Sequence, residues 1–141
     1  MEEKIISFET AKIAKERGFN SFTTFQYIQY DDNDWRLKSN QEFRELSESI
    51  GIGDKIRIAA PTQSLLQKWL RVKYSLYIKV HPVYRDKKVM WEYVIFFLDE
   101  PLLSGTDGFK NKMSLLNHPY YWETYEEALE EGLKTALKSV K

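Results

Sequence analysis

Around Ser75 the apolar residues change their spacing, and this change constrains the fold more than any other feature of the chain. Pro61 and Thr62 form a helix start signal, because a threonine hydroxyl can accept from a free amide of the first turn and proline is tolerated there. The helical period that follows puts Leu65, Leu66, Trp69, Leu70 and Val72 on one broad face and Ser64, Gln67, Lys68 and Arg71 on the other. From Leu76 the period becomes that of a strand: Leu76, Ile78 and Val80 point one way, Tyr77, Lys79 and His81 the other. Pro82 lacks an amide donor, so the strand ends there or lies at a sheet edge. A helix feeding a half-buried strand almost without a loop requires a fold that mixes the two.

The flanking segments fit the same class. Ser7 caps a helix running to about Arg17, stopped by Gly18 and Phe19, with Phe8, Ala11 and Ala14 as its apolar stripe. Residues 23–30, TTFQYIQY, are rich in strand formers, and DDNDW breaks them. Ser39 and Glu42 form a capping box ahead of Phe43, Leu46 and Ile50, with Gly51 as the stop. A turn at Gly53–Asp54 and a brief strand, 55–59, lead back to Pro61. Residues 89–98, VMWEYVIFFL, are apolar on both faces except at Glu92, as expected of a central strand. If Leu76, Ile78 and Val80 share a face with Trp91, Tyr93 and Ile95, Glu92 falls beside Lys79 and His81. Residues 99–118 read as a long loop, with part of it packing as an extra edge strand or helical turn.

The last helix opens on a second capping box, Thr124 and Glu127, and buries Tyr125, Leu129, Leu133, Leu137 and Val140. Ala128, Gly132 and Ala136 make a groove of small side chains that predicts close approach to the sheet. The reading is therefore one α+β domain over 1–141, with a small, mainly antiparallel sheet of three to four strands, near 24–30, 76–82 and 89–98, backed by helices.

The 141-residue chain is long enough to bury a core without covalent staples, and it contains no cysteine for a disulfide or thiolate metal site. Asp31, Asp32 and Asp34 fail the calcium-loop pattern, because Arg36 stands where the sharp turn needs glycine. No phosphate loop, nucleophile elbow, zinc-protease motif or cofactor fingerprint is present. Glu92 beside His81 is the only acid–base pair the pattern offers, and a cross-strand ion pair accounts for it. The expectation is a non-catalytic protein without metal or cofactor. The N-terminal MEEKIISFET has no apolar run of signal-peptide length, and no stretch reaches membrane-span length, which predicts a cytoplasmic protein without membrane contact.

Net charge is zero, but it is segregated. Nine basic residues against Asp86 alone give residues 55–88 a charge of +8, while 1–54 and 89–141 carry −4 each. Aromatic rings are interleaved through the basic segment. This makes Tyr77, Lys79, His81, Arg85, Lys87 and Lys88 the candidate nucleic-acid contacts, with phosphates on the cations and bases on the rings. The competing expectation is a protein-binding module, possibly self-associating, whose basic centre meets acidic surfaces. Trp35, Trp122 and the pair Tyr120–Tyr121 are further rings placed in loops by this reading.

SFETAKIAKERGF, APTQSLLQKWLR and TYEEALEEGLKTAL together resemble a family of small bacteriophage- and prophage-encoded proteins. The resemblance implies a phage accessory protein acting in the bacterial host's cytoplasm, and it implies no activity or catalytic residue. A sheet followed by TYEEALEEG is also similar to the end of integrase-type DNA-binding domains, where strands read the duplex and a helix backs them.

Overall fold

A computed structural model describes residues 3–50, 56–98, 113–117 and 120–140. The chain is α+β, and its contacts gather into two compact units, residues 1–62 and 63–141. The strands also divide. The predicted strand near 24–30 belongs to one antiparallel sheet, and those near 76–82 and 89–98 to another.

In the first unit, α1 (Phe8–Glu16) is capped by Ser7, whose hydroxyl accepts from the Thr10 amide at 3.2 Å. It stops as expected at Gly18, in the left-handed region at φ 95°, and the Phe19 amide donates back to the Ala14 carbonyl at 2.9 Å. The sheet has the order β2–β1–β3, from β1 (Phe25–Asp31), β2 (Asp34–Ser39) and β3 (Arg57–Ala60). Asp32 and Asn33 form the hairpin turn from which β2 starts, a strand the sequence reading did not separate from the turn. Trp35 therefore lies in a strand and not a loop, its ring 4.8 Å from Phe8, which also meets Tyr27 edge-on at 5.5 Å. The capping box forms in both directions: the Glu42 amide donates to the Ser39 hydroxyl, and the Ser39 amide to the Glu42 carboxylate, each at 3.1 Å. It opens α2 (Asn40–Ile50). The predicted stop at Gly51 and turn at Gly53–Asp54 lie outside the described residues.

The second unit begins with α3 (Gln63–Tyr74), which passes through Ser75, at φ 54°, directly into β4 (Leu76–Arg85). β4 pairs with β5 (Lys88–Leu98), and β5 with β6 (Met113–Asn117), so part of the long segment does add an edge strand. The register is the expected one: Ile78 faces Ile95, Val80 faces Tyr93, and His81 faces Glu92. α4 (Tyr125–Ser139), capped by the Thr124 hydroxyl on the Glu127 amide at 3.1 Å, covers the Ile78–Tyr93 face. Ala128, Gly132 and Ala136 are buried in that contact, and a Cβ added to Gly132 would come within 3.0 Å of Ile78 Cγ2. Tyr125, expected inside, is instead 40% exposed.

The buried stripe of α3 differs from the prediction. Leu66 and Leu70 are inside, but so is Gln63, while Val72 is 77% exposed and Leu65 36%. The helix is rotated toward its glutamines, because their amides have acceptors to satisfy. Gln63 donates to the Glu126 carbonyl at 2.9 Å and the Glu130 carboxylate at 3.0 Å, and Gln67 to the Ile78 carbonyl at 2.8 Å.

Candidate functional site: the outer face of the second sheet

A strand alternates its side chains across the sheet, so covering one face of β4–β5 with α4 leaves the alternate residues on the other. On β4 these are Tyr77, Lys79, His81, Val83 and Arg85. Their register partners on β5 are Phe96, Val94, Glu92, Met90 and Lys88. Five of the six candidate residues thus share one face. The sixth, Lys87, sits with Asp86 in the two-residue hairpin turn, both at positive φ, 65° and 49°.

Three of those candidates already have partners. His81 Nε2 contacts Glu92 Oε1 directly across the strands. The Arg85 guanidinium lies 4.6 Å from the Tyr121 ring centroid and donates to its hydroxyl. Lys88 Nζ is 3.5 Å from Glu123. Lys79 and Lys87 are exposed and make no ion pair among the described residues, and Tyr77 is 39% exposed. Between them Val83, Met90, Val94 and Phe96 are half-buried.

Residues 120–123 complete this end of the sheet. Trp122 exchanges backbone hydrogen bonds with Trp91, both at 2.8 Å, and its ring stacks on Tyr93 at 5.3 Å. Trp122 is therefore a half-buried cover over the sheet, while Tyr120 is 63% exposed. These contacts were invisible to sequence periodicity, because residues 120–123 belong to no regular element.

The Trp91–Trp122 pairing also explains Pro82. A strand residue's N–H and C=O point the same way, and those of Trp91 point toward Trp122. Pro82, opposite Trp91, therefore turns its missing donor toward the open edge of β4, so the strand runs on to Arg85. Lys73, elsewhere in the basic segment, lies on α3 with its Nζ 5.2 Å from the Trp69 ring centroid.

Chemically, the His81–Glu92 pair could exchange a proton, but its neighbours in register are Lys79, Val83, Met90 and Val94, none with a hydroxyl or thiol. Among the described residues no group of three or more histidine, aspartate or glutamate side chains is placed to hold a metal ion. Among the same residues no helix is long and apolar enough to cross a membrane.

Comparison with protein-family models, curated proteins and solved structures returned no match.

Proposed function

We propose that this protein is a non-catalytic binding module whose outer β4–β5 face engages an acidic surface of another protein. The observation that carries the reading is the mixture of charge on that face. A surface that tracks a nucleic-acid backbone presents unpaired cations to successive phosphates. Here Glu92 and Glu123 stand among the cations and hold His81 and Lys88, so a polyanion meets carboxylates as well.

What stays available is Lys79 and Lys87 around a half-buried apolar strip, with Tyr77 at its end. Protein interfaces have this composition, an apolar centre enriched in tyrosine within a polar rim. Its complement is a protein surface in which carboxylates flank apolar side chains. The resemblance to phage accessory proteins supports a setting in the cytoplasm of a bacterial host.

The nucleic-acid reading is tested by fluorescence anisotropy of labelled single- and double-stranded oligonucleotides across a salt series. The proposal expects no binding whose logarithm falls linearly with log salt. A linear fall that disappears in the Lys79→Glu, Lys87→Glu double variant would overturn it.

A further inference from the structure

The first unit holds an open surface cavity of about 700 Å³, within the roughly 300–1,000 Å³ range of small-molecule sites. Its position follows from the pleat. Tyr27 turns to α1, where it meets Phe8, so Gln26 and its register partner Ala59, with Arg57 two residues earlier, lie on the opposite sheet face. The first turns of α2 close that side with Asn40, Phe43 and Arg44.

Among the described residues the lining contains two arginines and no carboxylate, although residues 1–54 carry −4. Two acids of α2 are engaged elsewhere: Glu42 in its cap with Ser39 and beside Lys38, and Glu45 with Gln41. Arg57 is held by stacking on the Phe43 ring at 4.5 Å, which fixes the guanidinium while leaving its N–H edge for a ligand. Arg44 makes no ion pair, and the Gln26 side-chain amide no hydrogen bond, among the described residues.

The rim is built in advance. Asn40 takes the Thr24 carbonyl with its backbone amide at 3.0 Å and the Thr23 carbonyl with its side chain at 2.8 Å. The Thr23 hydroxyl donates to the Phe25 carbonyl at 2.6 Å. This pinned loop holds Phe22 at the cavity with 85% of its surface in solvent. Two guanidiniums with no ion pair among the described residues suit a phosphate, and an exposed ring at the same cavity suits a second ring.

We propose that this cavity binds a ring-bearing phosphate of mononucleotide size, with Arg44 and Arg57 taking the phosphate and Phe22 the ring. The site is independent of the outer face of the second sheet. The test is titration of the full-length protein with AMP, followed by amide and arginine side-chain NMR signals, with inorganic phosphate and adenosine as separate arms. The expected result is saturable shifts at Gln26, Asn40, Arg44 and Arg57, with affinity at least about tenfold weaker for either component alone. Arg44→Gln, on the exposed side of a helix, should weaken AMP by about tenfold without altering the thermal melt, and Phe22→Ala should weaken AMP but not phosphate. No saturation at millimolar AMP, shifts centred elsewhere, or phosphate binding as tightly as AMP would each overturn the proposal.

Discussion

The side-chain amide of Gln67 donates to the main-chain carbonyl of Ile78 at 2.8 Å, closing from α3 an acceptor that faces the open edge of β4. Even-numbered β4 residues turn their backbone groups away from β5, so without Gln67 this carbonyl has no partner in the sheet. Gln67→Leu is expected to destabilise the protein by about 1–2 kcal/mol in urea unfolding. An unchanged midpoint would show that water replaces the amide at no cost.

Gly132 sits where α4 meets the sheet most closely. A Cβ there would lie 3.0 Å from Ile78 Cγ2 and 3.2 Å from Tyr93 Cγ. Alanine gains about 1 kcal/mol of helix propensity, but overpacking costs about 1–3 kcal/mol. Neither neighbour is a flexible side-chain end: Ile78 Cγ2 is a methyl on a branched Cβ, and Tyr93 is held by its hydroxyl at 2.9 Å from Thr135. Gly132→Ala is therefore expected to lower stability by about 1 kcal/mol, and Gly132→Val by more. Urea midpoints of the two variants check the order.

At the β4–β5 turn the two central residues both have positive φ, as a type I′ hairpin turn requires, yet neither is glycine. Lys87, at φ 65°, bears the steric cost of its Cβ there. Lys87→Gly is expected to stabilise the unit by about 0.5–1 kcal/mol, read as a higher melting temperature.

Burial raises the Tyr93 hydroxyl above its ordinary value of 10.0, with the Thr135 hydrogen bond acting against the shift. A folded-state value above the unfolded one means the native state holds its proton longer. Its contribution is full below about pH 10 and is lost as pH rises through the folded value. Unfolding free energy should thus fall on the alkaline side, and Tyr93→Phe should flatten that fall while losing about 1 kcal/mol from the Thr135 bond. An identical alkaline slope in the variant would assign the fall to other groups.

Much of this fold is legible where one residue type has one job. Ser7, Gly18, the Ser39–Glu42 box and Thr124 act through local backbone geometry, and all hold in the structure. The register of β4 on β5 is readable because Glu92 is the single charge in the apolar run of residues 89–98. The stripe of α3 is not legible in the same way, because hydrophobicity alone cannot show that Gln63 and Gln67 face inward to satisfy acceptors on α4 and β4. β2 is hidden in the sequence because its first residues, Asp34 and Arg36, which pair at 2.9 Å, continue the polar run of the turn. The grouping of strands into two sheets depends on long-range pairing, which no local pattern encodes. Among the site residues, the alternation of Tyr77, Lys79 and His81 was visible, but the partners Tyr121 and Glu123 were not, since they arrive from a segment without periodicity.

The most direct measurement places a photo-crosslinking residue at Tyr77 in the full chain within a bacterial host, then measures the affinity of the captured protein, purified, for the native chain. The account predicts a defined complex, weakened about tenfold by Lys79→Glu and unchanged by Lys12→Glu on the exposed side of α1. Binding indifferent to Lys79, or crosslinks to nucleic acid alone, would contradict it.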